Sequence, residues 1–180
     1  MKKLILIFAF LVLGLSQSNA QMLKFGVKAG ANFASLEGDG LEGLETYTSF
    51  HFGALLELKV FENFSLQPEL LYSSQGAKVN SEAVDDINFN YVTVPVLAKF
   101  YLISDRLSVE AGPQFSFLMN DNLNDQFESK SFDFAAVGGL GFQITDNVFV
   151  QGRYVLGLTD TTSDAEIKNR VIQVSVGYRF

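Results

Sequence analysis

From Leu23 to its last residue the chain alternates apolar and polar side chains almost without a break, and this period of two commits it to β-strands. Eight runs carry the pattern, at 23–33, 49–60, 64–73, 91–101, 107–117, 132–144, 148–158 and 171–180. In the first, Leu23, Phe25, Val27, Ala29, Ala31 and Phe33 share one parity; in the last, Ile172, Val174, Val176, Tyr178 and Phe180 do. No residue on these apolar parities is charged. The opposite parity carries Lys24, Lys28, Glu57, Lys59, Glu69, Lys99, Glu110, Asp133, Arg153 and Arg179.

The two faces decide the solvent. A water-soluble barrel puts its apolar face inside, but eight strands enclose a lumen too narrow for all these large apolar groups. The inverse assignment, lipid outside and a polar interior, fits. The runs also match the roughly 9–11 residues with which a tilted strand crosses a bilayer. An open sheet edge cannot face hydrocarbon, so the sheet must close. The predicted fold is all-β: an eight-stranded antiparallel up-and-down transmembrane β-barrel spanning residues 21–180.

The connectors support this reading. Three are tight, at 61–63, 103–106 and 145–147; four are long, at about 34–48, 75–90, 119–131 and 159–170. Short turns at one end and long loops at the other are the build of outer-membrane barrels. An even strand count returns both termini to the short-turn end, which is expected to be periplasmic. Pro68 and Pro113 fall inside runs and are read as bulge or end positions; Pro95 falls on the inward parity. The glycines at 26, 30, 53, 112, 139, 141, 157 and 177 share the inward parity and make room for larger neighbours.

Residues 1–20 read as a secretory signal peptide. Lys2 and Lys3 precede an apolar stretch from Leu4 to Leu15, and Ser18-Asn19-Ala20 is a small-x-small cleavage signal. That stretch is too short to span a bilayer. Cleavage removes two lysines and no acids, so the formal charge goes from −7 to −9. There is no cysteine, which excludes disulfides, thiolate metal sites and a lipidated amino-terminal cysteine. An acidic exported chain without a basic stripe is not expected to bind nucleic acid.

Six inward charges, Lys28, Glu57, Glu69, Lys99, Glu110 and Arg153, fall at similar distances from the short turns and are expected to form one interior layer. Three basic and three acidic groups can pair, and buried charges are tolerated only when paired. The plain reading is a structural plug; the sharper one is a gated ion path or proton relay. His51, the sole histidine, is a weak metal signal without cysteine, and a Ser-His-acid arrangement with Ser49, Ser73 or Ser116 is conceivable. No metal, cofactor or catalytic residue is assigned. Gly138-Gly139-Leu140-Gly141 lies mid-strand with no following helix, so it is not a nucleotide loop.

The long loops and their flanks hold 13 of the 20 acids, among them Glu37, Asp39, Glu42, Glu45, Asp85, Asp121, Asp125 and Asp164. A solvated surface that repels anions is the plain reading. Divalent-cation bridging to lipopolysaccharide, or a basic partner, is the functional one. Asp121-Asn122-Leu123-Asn124-Asp125 lacks EF-hand spacing.

Several stretches carry a resemblance: "FSLQPELLYSSQGAKV", "YVTVPVLAKFYL", "VEAGPQFSFLM", "AAVGGLGFQI" and "RYVLGLTD". In order and wording they resemble the PorT-like outer-membrane β-barrel family over nearly all of residues 21–180. The resemblance implies an eight-stranded barrel in the outer membrane of a Gram-negative cell. The family's namesake serves protein export by the type IX route; the resemblance brings no catalytic motif, and no appended peptidoglycan-binding domain is expected. The terminal Phe180, with Tyr178, also resembles the signal by which the barrel-assembly machinery recognises its clients. The expected work is structural, or surface recognition through the acidic loops. The alternatives are an accessory role beside secretion-apparatus proteins and a lipid-modifying enzyme. Expected neighbours are outer-membrane lipid and lipopolysaccharide.

Overall fold

A computed structural model describes residues 23–37, 44–79, 87–103, 106–121, 132–159 and 168–180. These form eight strands: β1 Leu23–Glu37, β2 Leu44–Phe61, β3 Phe64–Val79, β4 Ile87–Ile103, β5 Leu107–Asp121, β6 Phe132–Gln143, β7 Val148–Gly157 and β8 Lys168–Arg179. Each pairs with its neighbour in sequence order, and β8 pairs antiparallel with β1 from Gly26–Arg179 to Glu37–Lys168, so the sheet is a closed barrel. The segment read as a signal peptide and most of the acidic loop residues lie outside the described residues.

The tight turns fix the strand ends at one mouth. Phe61 pairs with Phe64 across Glu62-Asn63. The Arg106 N–H donates to the Ile103 carbonyl at 2.7 Å. Ile144 and Thr145 N–H both reach the Val148 carbonyl, at 2.9 and 3.1 Å. At the other mouth β1 to β5 run past their expected ends, with β2 reaching 18 residues, while β7 stops at 10. Backbone pairing there continues after the apolar alternation fades, for example through Gly76-Ala77, because a strand above the lipid needs no apolar face.

The expected parity is observed. Along β8, Val171, Gln173, Ser175, Gly177 and Arg179 are buried, whereas Ile172, Val174, Val176 and Tyr178 are exposed. Val176 is 54% exposed and Phe180 69%, and similar outward residues surround the barrel. A surface this apolar is stable in hydrocarbon, not in water. Aromatic rings gather at both ends of the wall. Near the short turns, Phe25 stacks on Phe180 with centroids 6.0 Å apart, and Phe64 meets Phe100 at 4.8 Å. Toward the loops, Phe52 meets Tyr72 at 5.4 Å and Phe115 meets Phe134 at 5.5 Å. These are the two interfacial girdles of a membrane barrel.

The interior is mixed, not simply polar. Leu55, Leu71, Tyr91, Leu97, Val137, Val155 and Val171 are buried alongside the charges. Ala34, Leu97, Ala135, Val137, Val155 and Val171 form one apolar cluster. Such packing keeps water away from the ion pairs beside it. The three prolines sit on adjacent strands. Pairing of β3 with β4 passes from Pro68–Val96 to Leu71–Thr93, and that of β4 with β5 from Pro95–Gln114 to Ala98–Ala111, a gap that contains Pro113. Each proline lacks the N–H a ladder bond requires. Gly177 is required by shape: a Cβ there would lie 2.1 Å from Cζ of the inward ring of Phe149.

Candidate functional site

The barrel interior gathers most of the chemistry-bearing side chains, in three tiers. All six charges expected there are buried, but they divide into two groups and not one layer, and Arg179 joins them. The difference arises from barrel shear, which sets neighbouring strands at different heights for equal distances from a turn.

The middle tier is built around Arg153 on β7. Its Nη1 and Nη2 donate to both carboxylate oxygens of Glu69, each at 2.7 Å, and its Nε donates to Glu110. Such a fork is the most directional ion pair proteins make. Lys28 reaches Glu69 at 2.9 Å. Gln151 donates to Glu110 at 3.0 Å and Gln67 to Glu69 at 2.6 Å. Two cations therefore face two anions, all of them buried.

The lower tier, nearer the short turns, centres on Glu57. It pairs with Arg179 and accepts the Tyr101 hydroxyl proton; Lys99 lies 3.6 Å away. Lys99 also donates to Gln67 at 3.3 Å, which joins the two tiers. The Phe149 ring packs between these cations, 4.9 Å from the Arg179 guanidinium and 5.9 Å from the Lys99 ammonium.

The upper tier is neutral. His51 Nδ1 lies 2.7 Å from Asn32 Oδ1, and its Nε2 lies 2.7 Å from Ser175 Oγ. Asn32 turns its amide N–H groups to the Ser74 carbonyl at 2.7 Å and to Ser73 Oγ at 3.0 Å, so Oδ1 is its acceptor end. His51 then carries its proton on Nδ1 and accepts from Ser175 on Nε2. This has the order of a nucleophile, base and orienting group, but not with the serines considered from sequence. Ser49 donates to the Ser74 carbonyl, Ser116 accepts from Gln114, and Ser73 reaches His51 only through Asn32. Ser175 and His51 are 3% and 1% exposed, and the strand amides around them face one another in the sheet ladder. An acyl substrate would find neither an approach nor free N–H groups for its oxyanion.

Asp133, nearer the loops, accepts from the Thr159 hydroxyl. Among the described residues no three His, Asp or Glu side chains gather as a metal-holding group. Arg179 was legible as inward from its parity. Asn32 and Ser175 were not legible as partners of His51, because pairing across the barrel depends on a register that no local pattern states.

The family described as outer membrane protein β-barrel domain matches residues 15–163. No curated protein matches the chain. Among solved structures, Ail, the attachment invasion locus protein of Yersinia pestis, superposes with a TM-score of 0.60 at 17% identity, covering 89% of this chain and all of that one. Neisserial surface protein A gives 0.59 at 14% identity, over 87% of this chain and 97% of that one. OprG from Pseudomonas aeruginosa gives 0.55 at 11%, over 87% and 95%. Identities this low speak for the fold alone.

Proposed function

The chain belongs to the outer membrane protein β-barrel domain family, and on that premise we propose that it is a non-enzymatic barrel with a plugged lumen that works at its rims. The protein is a small outer-membrane barrel. One observation carries the plug: Arg153, with Lys28, is locked between Glu69 and Glu110 and closes the middle of the interior. In this reading the six interior charges and Arg179 are structural. The termini are periplasmic, residues 1–20 are removed on export, and the acidic long loops meet the outside. There they present carboxylates to lipopolysaccharide-bound cations or to a basic partner. The Ail barrel has been crystallised with the heparin analogue sucrose octasulfate. Acidic loops on this chain argue against so anionic a ligand.

Planar-bilayer recording tests the plug. The expected result is no steady conductance; large, reproducible channels would remove it. A second reading, accessory to an outer-membrane secretion apparatus, is favoured by the PorT-like stretches such as "YVTVPVLAKFYL". Proximity labelling from the short turns decides between them, since secretion components should dominate the labelled set only under the second reading. A lipid-modifying role has the least support, because the one Ser–His pair described is sealed inside the wall.

A further inference from the structure

Outward residues of neighbouring strands line up across the ladder and rib the lipid-facing wall. One rib runs through Val148, Tyr178, Val27, Ala54 and Leu70, from β7 by way of β8, β1 and β2 to β3. The next rib toward the loops carries Val176, Ala29 and Phe52. Between the two lies an open groove of about 710 Å³ whose floor reaches the strands at Gly53 and Gly177. Ala29 and Ala54 permit this depth, since their side chains end at Cβ. On the short-turn side of the first rib a second groove, of about 440 Å³, runs past Leu56 and Pro68 to Val94. Ala54 lines both grooves, so the ridge between them is lowest there and they join.

The joined groove is apolar, and it climbs. Lys28 and Glu69 lie behind it, but their side chains are 0% exposed and belong to the middle tier. Val148 is the first residue of β7, beside a short turn, whereas Val94 lies near the middle of β4. From β7 to β4 around the closed sheet are five inter-strand steps of about 4.8 Å, a path of roughly 24 Å. Barrel strands tilt by about 40°, so a path straight across them climbs roughly 15 Å. That is half of a hydrocarbon core about 30 Å thick, the depth of one leaflet.

We propose that this groove holds one acyl chain of a phospholipid from the leaflet at the short-turn face, its ester end beside Tyr178 and its tail laid over Ala54 toward Val94. The groove opens on the lipid-facing wall along its whole course and continues that interface. Its residues Val27, Leu70, Val176 and Tyr178 are exposed to lipid. A chain lying on a smooth wall touches protein along one side. Here ribs flank the chain and the strand backbone lies beneath it, so it makes many more dispersion contacts than a chain elsewhere on the wall. Tyr178 stands in the short-turn girdle, where an aromatic ring with a polar tip meets both tail and ester. The choice of phospholipid over lipopolysaccharide rests on the periplasmic orientation proposed above; the fit of an acyl chain does not.

The test is native mass spectrometry of the full chain refolded in detergent with dipalmitoyl phosphatidylethanolamine. One phospholipid should stay bound after the detergent is stripped. Ala54→Leu raises the floor where the grooves join and should weaken retention at least about fivefold. Ala29→Leu, on the neighbouring strand, should act alike. Ala136→Leu adds the same bulk at an exposed outward position on β6, away from the groove, and should retain lipid like the parent. Heat-modifiable migration reports whether each variant is folded. No retained phospholipid, equal retention by the parent and the folded groove variants, or equal loss from Ala136→Leu would overturn the site and leave the orientation standing. A parent dimer that Ala54→Leu dissociates would give the groove to a second copy and overturn it too. Preferential retention of added lipopolysaccharide would overturn both the phospholipid and its leaflet.

Discussion

Arg153 is the residue on which the interior turns. Replacing it with Met keeps the apolar stem but leaves Glu69 and Glu110 buried without their common partner. Breaking a buried ion pair from one side costs about 3 to 5 kcal/mol. Arg153→Met should therefore lower the urea midpoint of the detergent-folded barrel sharply, and adding Glu110→Gln, which leaves Lys28 and Glu69 as a matched pair, should recover much of the loss. If the single variant melts like the parent, the middle tier contributes no stability. Gly177 tests shape instead of charge. Gly177→Val would drive a side chain into the Phe149 ring, and the folded fraction seen as heat-modifiable migration should fall. Phe149→Ala in the same chain should restore part of it. Inwardness was legible at both positions, because parity alone assigns it. Partnership was not. That Arg153 would find Glu69, 84 residues away, follows from register and shear, which the alternation does not encode.

At the scale of the strand, the sequence spoke most clearly where physics leaves least choice. The starts of β3, β5 and β7 are where the alternation places them, since tight turns punctuate them and lipid demands an apolar face from the first residues. The loop-side ends of β2 and β3 extend beyond the alternation, because "SQGAKV" pairs through its backbone with no apolar rule to mark it. The last strand shows a contact beyond its own ladder. The Phe180 N–H donates to the Phe25 carbonyl at 2.8 Å, and its ring packs on Phe25 and, at 5.2 Å, on Tyr178. Deleting Phe180 should reduce the amount of assembled barrel in the outer membrane while leaving export across the inner membrane intact, as read by fractionation and immunoblot. Normal assembly would confine Phe180 to the lipid interface.

At the scale of the molecule, the closing seam has a consequence in time. β8 completes β1, yet Gly26 and Arg179 are 153 residues apart in the chain. Bringing such distant segments together carries the largest loop-closure cost in the barrel. Until it is met, β1 presents an open edge, and every earlier strand belongs to a sheet with no stable rim. The inward charges cannot gather either, since Arg153 and Arg179 arrive on the last two strands to reach Glu69, Glu110 and Glu57. Folding should accordingly be all-or-none. A chain ending at residue 159, with seven strands and no β8, should show no amides protected from hydrogen exchange in detergent; a protected β2–β5 core would contradict this. The order of synthesis thus makes the nascent protein a clock that stays unset until its final residues appear. For its whole passage through the periplasm it is a client in need of an escort.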